Sequence, residues 1–180
     1  MNALPEKIST IAELDELLSR PSTELVEYIA KLDGDIMLLG AGGKIGPTIA
    51  RTAKRAIDQA QVDKKVIAVA RSPLDELKAE GITALNCDLL NWKAVSELPR
   101  VKNIVYLAGR KFGSTGSEWL TWASNVMIPH NVGDIFRDAN IAVYSTGCVY
   151  PVVDVATGGS VETDRLDPIG EYASSCVGRE

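Results

Sequence analysis

At 180 residues, with 46% hydrophobic residues and a formal net charge of −5, the chain carries enough apolar material for one core and too little length for two full domains. The acidic balance argues against a binder of phosphate backbones, which needs a basic face, so nucleic acid is not an expected partner. No apolar run approaches a membrane span and the N-terminus lacks a signal-peptide core, so a cytoplasmic protein without membrane attachment is expected.

Residues 8–33 hold two amphipathic stretches, 11–18 and 23–32, broken at Arg20-Pro21-Ser22. Thr10 and either Ser22 or Thr23 are expected N-caps, and leucines recur at helical spacing. Residues 1–33 thus read as an N-terminal helical extension, packed against a sheet or against a second subunit in a homodimer. Ile36-Met37-Leu38-Leu39 then reads as a buried strand. It runs into Gly40-Ala41-Gly42-Gly43-Lys44-Ile45-Gly46 and a helix from Pro47. Glycine permits a tight turn with positive φ, admits a pyrophosphate close to the backbone, and packs a helix against its strand. The helix N-terminus presents unpaired N–H groups and a partial positive charge. The spacing is Gly40-x-x-Gly43-x-x-Gly46, with Ile45 where the third glycine of G-x-G-x-x-G would fall, and a dinucleotide cradle is the expectation.

Further strands are expected at 65–70, 81–88, 103–108 and 141–145. Helices are expected from Ser72-Pro73, with serine as cap and proline in the first turn, at 92–98, and over most of 117–138. The loop 154–160 carries the strongest breaker signals. Strand and helix alternate throughout, which predicts an α/β protein: a Rossmann-type, doubly wound parallel sheet over 34–180, covered on both faces. Cys87, Cys148 and Cys176 are odd in number and form no C-x-x-C pair, so neither a disulfide framework nor a zinc or other metal site is indicated. His130 is the single histidine, and no motif recruits it to a Ser-His-Asp triad.

The cradle, Cys87-Asp88-Leu89, Tyr106-Leu107-Ala108-Gly109 and Ser145-Thr146-Gly147-Cys148-Val149-Tyr150-Pro151 follow successive strands in one order. Together they resemble the extended short-chain dehydrogenase/reductase family, the NAD-dependent epimerase/dehydratase group acting mostly on nucleotide sugars. The resemblance covers about residues 35–180. It implies cofactor contacts from Gly40, Gly42, Gly43, Lys44, Ile45 and Gly46, and from Leu107, Ala108 and Gly109. It also implies that Asp88 meets the adenine while Leu89 covers the ring, with a helix N-cap as the alternative for Asp88. Members place an asparagine in the long helix near the active site, matched by Asn125; a plain surface asparagine is the alternative. Members run longer, with a smaller C-terminal region that makes the substrate pocket, so this sequence is expected to lack that region.

By the same resemblance, Thr146 orients the reacting oxygen of the substrate and Tyr172 is the acid/base. The family's Tyr-x-x-x-Lys is broken, because Cys176 stands where the lysine belongs. A phenol with an ordinary pKa of about 10 is a poor base at neutral pH without a nearby cation. A thiol cannot supply that charge. No lysine follows Lys111, so Arg110 and Lys111 are the candidate replacements, with solvated loop charges as the alternative.

Where NAD-specific members have an acid after the second strand, this chain has Ala70-Arg71. Arginine pairs with a 2′-phosphate, which favours NADP over NAD, unless Arg71 is an ordinary surface cation. Trp119 and Trp122 read as core or interface residues rather than substrate stackers, and Cys148 as a buried, inert thiol, with a substrate-facing thiol as the alternative. The implied function is an NAD(P)-dependent oxidoreductase, epimerase or dehydratase acting on a sugar or nucleotide sugar. A catalytically silent NAD(P)-binding sensor or scaffold is the alternative.

Overall fold

The structure, a computed structural model, describes residues 5–180; the first four residues of the extension, and that part of the leader reading, lie outside it. Helices α1 (Ile11–Leu18) and α2 (Thr23–Lys31) open the chain. Thr10 caps α1 in a reciprocal capping box with Glu13, and Ser22 rather than Thr23 caps α2 by accepting from the Leu25 amide at 3.2 Å. Both helices pack on α3 (Gly46–Ala60), and α2 adds the buried Ile29 to the core beneath.

Strands β1 (Ile36–Leu39), β2 (Val66–Ala70), β3 (Thr83–Asn86), β4 (Asn103–Tyr106) and β5 (Asn140–Val143) form one parallel sheet in the order β3-β2-β1-β4-β5. The chain therefore reverses direction across the sheet between β1 and β4, and a crevice opens there at the carboxyl ends of the strands. Side chains alternate between two cores. Ile36, Leu38, Val66 and Ala68 join Ala50 and Ile57 of α3 and Leu77 of α4 (Asp75–Ala79). Met37, Leu39, Ile67, Val69, Ile104 and Tyr106 join Val95 of α5 (Trp92–Ser96) and Ile128 and Val132 of α7 (Ile128–Ile135). This is the expected Rossmann-type fold.

Three local expectations change. The helix after β2 starts at Asp75 with no side-chain cap, because Leu74 turns into the core and the Ser72-Pro73 pair stays outside the helix. The long helix is α6 (Glu118–Trp122), a π turn over Ala123–Met127, and α7. Pro129 has no N–H for the carbonyl four residues back, that of Asn125, and the wider turn absorbs the misfit. The sheet is also incompletely covered. Along β5, Ala142 and Val143 are exposed, and an apolar groove of about 660 Å³ lies between α2 and the β4–β5 face. Among the described residues, no helix is long and apolar enough to cross a membrane.

Two glycines of the turn after β1 are required by the fold. Gly40 has φ +91°, and a Cβ there would lie 2.7 Å from the Ala108 amide nitrogen. A Cβ on Gly46 would lie 2.2 Å from the Ala41 carbonyl oxygen, which locks the start of α3 onto the end of β1. Gly46→Ala is therefore expected to cost at least ~2 kcal/mol, since rigid backbone stands in the way. Thermal unfolding monitored by circular dichroism checks this; an unchanged midpoint contradicts it.

Candidate functional site

The remaining glycines of the turn behave differently. A Cβ on Gly43 would meet the Gly40 carbonyl oxygen at 3.5 Å, an ordinary contact, and one on Gly42 would approach the Ala70 Cβ at 3.1 Å. Folding does not demand a bare Cα at 43. Hydrogen bonding points the same way. Gly40 and Ala41 donate to the Val69 carbonyl, Gly43 to Gly40 and Gly46 to Gly43. The amides of Gly42, Lys44 and Ile45 donate to no protein acceptor among the described residues. All three residues are exposed, and no side chain caps α3. Open donors at a helix N-terminus suit an anion.

Beside the turn lies a cavity of about 430 Å³. Its wall includes Gly40, Gly42 and Gly43, Arg71 after β2, Asp88 and Leu89 after β3, and Leu107 to Phe112 after β4. Nine of the twelve residues proposed from sequence for cofactor contact thus line one space at the switch point. Lys44 and Ile45 are exposed and do not line it, and Gly46 is buried against the Ala41 carbonyl. Arg71 is exposed, and the Asn86 amide, oriented to donate, holds the carbonyls of Ala70 at 3.1 Å and Arg71 at 2.6 Å. Asp88 is not a helix cap: its Oδ1 accepts from the Leu90 amide at 3.1 Å in a tight Asx turn, while Asn91 caps α5.

Asn125 is fully buried, which excludes the surface alternative. Its Oδ1 accepts from the Arg110 amide at 2.7 Å, and its Nδ2 donates to the Arg110 carbonyl at 3.0 Å and to Ser175 Oγ at 2.9 Å. Ser175 in turn donates to the Tyr172 carbonyl at 2.9 Å. One amide therefore ties the loop after β4 to α8 (Gly170–Arg179), the helix that carries Tyr172. As a result the Lys111 ammonium sits over the Tyr172 ring, 5.9 Å from its centroid, and over the Phe112 ring at 5.5 Å. Both distances suit a cation–π contact.

Thr146 caps the 3₁₀ turn Gly147–Val149, its Oγ1 accepting from the Cys148 amide at 3.2 Å, so its hydroxyl hydrogen stays free to donate outward. Helix α8 packs on that turn. Neither Thr146 nor Tyr172 lines the cavity. Cys176 is fully buried, and that burial pushes its thiol pKa up, against the opposing pull of the Arg179 charge. Arg110 is half-buried, with Nη2 donating to the Gly113 carbonyl at 2.9 Å, so it is not a freely solvated charge.

One further expectation fails: Cys148 is exposed, because the turn after β5 carries it away from the core. Trp119, at 71% exposed, is not a core residue, which leaves the interface half of its reading. One residue was not anticipated. Arg179 lies against Gly109, where a Cβ would be 3.4 Å from its Nη1, and donates from Nη2 to Ser145 Oγ at 3.1 Å.

No protein-family model matches the chain, and no curated protein matches it. Solved structures do, at the level of the fold. MoeE5 in complex with UDP-glucose and NAD superposes with a TM-score of 0.66 at 22% identity, over 81% of this chain and 46% of that one. The Helicobacter pylori ADP-L-glycero-D-manno-heptose-6-epimerase gives 0.68 at 15% identity, over 88% and 51%. RMD from Pseudomonas aeruginosa complexed with NADPH gives 0.60 at 17%, over 81% and 47%. The chain spans about half the length of these structures.

Removing the amide in Asn125→Ala strands the Arg110 backbone and the Ser175 hydroxyl, and is expected to cost about 2–3 kcal/mol. Denaturant unfolding measures it. Separately, a maleimide should label Cys148 alone in the native protein and all three cysteines after denaturation, read by mass spectrometry; native labelling of Cys176 contradicts its burial.

Proposed function

We propose that this chain binds a nicotinamide dinucleotide, NADP in preference to NAD, and serves hydride transfer on a sugar or nucleotide sugar as an oxidoreductase, epimerase or dehydratase of the short-chain dehydrogenase/reductase type. The observation that carries the reading is the turn after β1. Its Gly42, Lys44 and Ile45 amides are open, and a bare Cα at Gly43, unneeded for packing, faces a cavity at the switch point. That donor set fits a diphosphate. Solved structures sharing the fold hold NAD or NADPH, and one holds UDP-glucose as well.

In this reading Asp88 and Leu89 receive the adenine end, and Arg71 meets a 2′-phosphate as a charge-assisted pair. Leu107, Ala108 and Gly109 line the same cavity and would hold the dinucleotide between its two ends. When bound, the cofactor supplies a ring carbon that takes up or returns a hydride. Thr146 donates its free hydroxyl hydrogen to the reacting oxygen of the substrate, and Tyr172 exchanges the proton of that oxygen. The ammonium of Lys111 stands 5.9 Å from the centroid of the Tyr172 ring and brings a positive charge to that side of the site.

A second reading, a silent NAD(P)-binding sensor or scaffold, draws on one observation: a buried thiol at Cys176 occupies the place of the amine. The two part on Tyr172→Phe. Loss of NADPH consumption with candidate sugars supports the enzyme; binding with no Tyr172-dependent turnover supports the sensor.

Binding itself is tested by melting the protein with NADP, NADPH, NAD and NADH. At a hundredfold excess over Kd, a ligand of the folded state adds about 2.7 kcal/mol, a rise of roughly 5–10 °C. NADP and NADPH should raise the midpoint at lower concentration than NAD and NADH, and Arg71→Ala should abolish that difference. Gly43→Val should fold yet lose the shift. No shift with any of the four overturns the proposal.

A further inference from the structure

Among the described residues, the buried side-chain polar atoms without a hydrogen-bond partner are the Tyr106 hydroxyl, Arg110 Nε and Arg179 Nε. All three gather at the carboxyl end of β4. Tyr106 is its last residue, Arg110 follows four positions later, and the Arg179 guanidinium lies against Gly109 between them. Buried donors are almost always satisfied in folded proteins, so three orphans at one corner mark a place built for an absent acceptor.

Arg179 is the charge of that corner. It sits seven residues after Tyr172 and three after Cys176, on the same face of α8. Its guanidinium ends between Gly109, where a Cβ would lie 3.4 Å from Nη1, and Ser145 Oγ, 3.1 Å from Nη2. Its positive charge acts on both the Cys176 thiol and the Tyr106 hydroxyl, lowering pKa values that burial raises. Among the described residues it makes no ion pair. Its one acceptor is Ser145 Oγ, whose own hydrogen goes to Glu180. A guanidinium keeps its proton at every relevant pH, so it offers charge and donors without relaying protons.

Resting on the cofactor reading above, we propose that Arg179 is a second cation of this site, beside Lys111, donating to the ribose hydroxyls of the nicotinamide half of the bound dinucleotide. The bare Cα of Gly109 leaves the guanidinium next to the cavity wall.

ADP and NADP separate this claim from the cofactor reading, because ADP carries the diphosphate and lacks the nicotinamide ribose. In the wild-type protein, followed by ¹⁵N NMR, ADP should move the amides of Gly42, Lys44 and Ile45 and leave the Arg179 Nε–H resonance in place, whereas NADP should move both. An Arg179 signal unmoved by NADP, or moved equally by ADP, overturns the proposal while the turn amides still report on the cofactor reading. Arg179→Met should weaken NADP roughly tenfold or more, the loss of one charged hydrogen bond, with ADP affinity unchanged as the control for folding. Arg179→Lys should restore part of the loss, and Arg179→Met combined with Cys176→Lys most of it. Equal NADP affinity in wild type and a folded Arg179→Met overturns the proposal; if Arg179→Met loses ADP binding as well, the wild-type NMR result decides.

Discussion

The structure depends on how closely β1, β4 and α3 meet at one point. The ends of the two strands approach until only a glycine fits between them, with the Gly40 Cα set against the Ala108 backbone, and the first residue of α3 rests on the Ala41 carbonyl. Side-chain-free positions at 40 and 46 are therefore conditions of folding. Once they are met, the chain turns so sharply that it cannot close its own hydrogen bonds at Gly42, Lys44 and Ile45. The open amides are a by-product of the packing, and an anion site follows from it.

From that corner the cavity divides by chemistry. Asp88 and Leu89 offer a carboxylate beside an apolar wall, and Arg71 stands as an exposed cation over the same space. Across the switch point, the loop after β4 places Arg110 and Lys111, held by the buried Asn125 amide that also anchors α8. Three cations, Arg71, Arg110 and Lys111, thus line one crevice of a protein whose net charge is −5. Thr146 and Tyr172 lie outside that wall, on segments that pack on each other, and the open groove along β5 shows that this side of the sheet is only partly covered.

Much of this was legible in the sequence because it rests on local pattern. Four- and five-residue apolar runs announce β1 and β2, the glycine spacing announces the turn, and Thr10 with Glu13 announces the first cap. The rest depends on contacts between distant segments. The exposure of Cys148 follows from where the chain leaves β5, that of Trp119 from which face of α6 turns outward, and the Asn125 network joins residues 15 and 50 positions apart. A search for lysine passes over Arg179, although its i+7 spacing from Tyr172 puts both on one helix face. The π turn has a signal in Pro129, but a proline inside a helix reads equally as a kink or a stop.

The central claim is that bare peptide amides after β1 hold a diphosphate. Amide shifts in the ¹⁵N-labelled protein during titration with NADPH test it most directly, since each open N–H reports on itself. The account predicts the largest changes at Gly42, Lys44 and Ile45, saturating together with one Kd. Saturable binding that leaves those three resonances in place would contradict it.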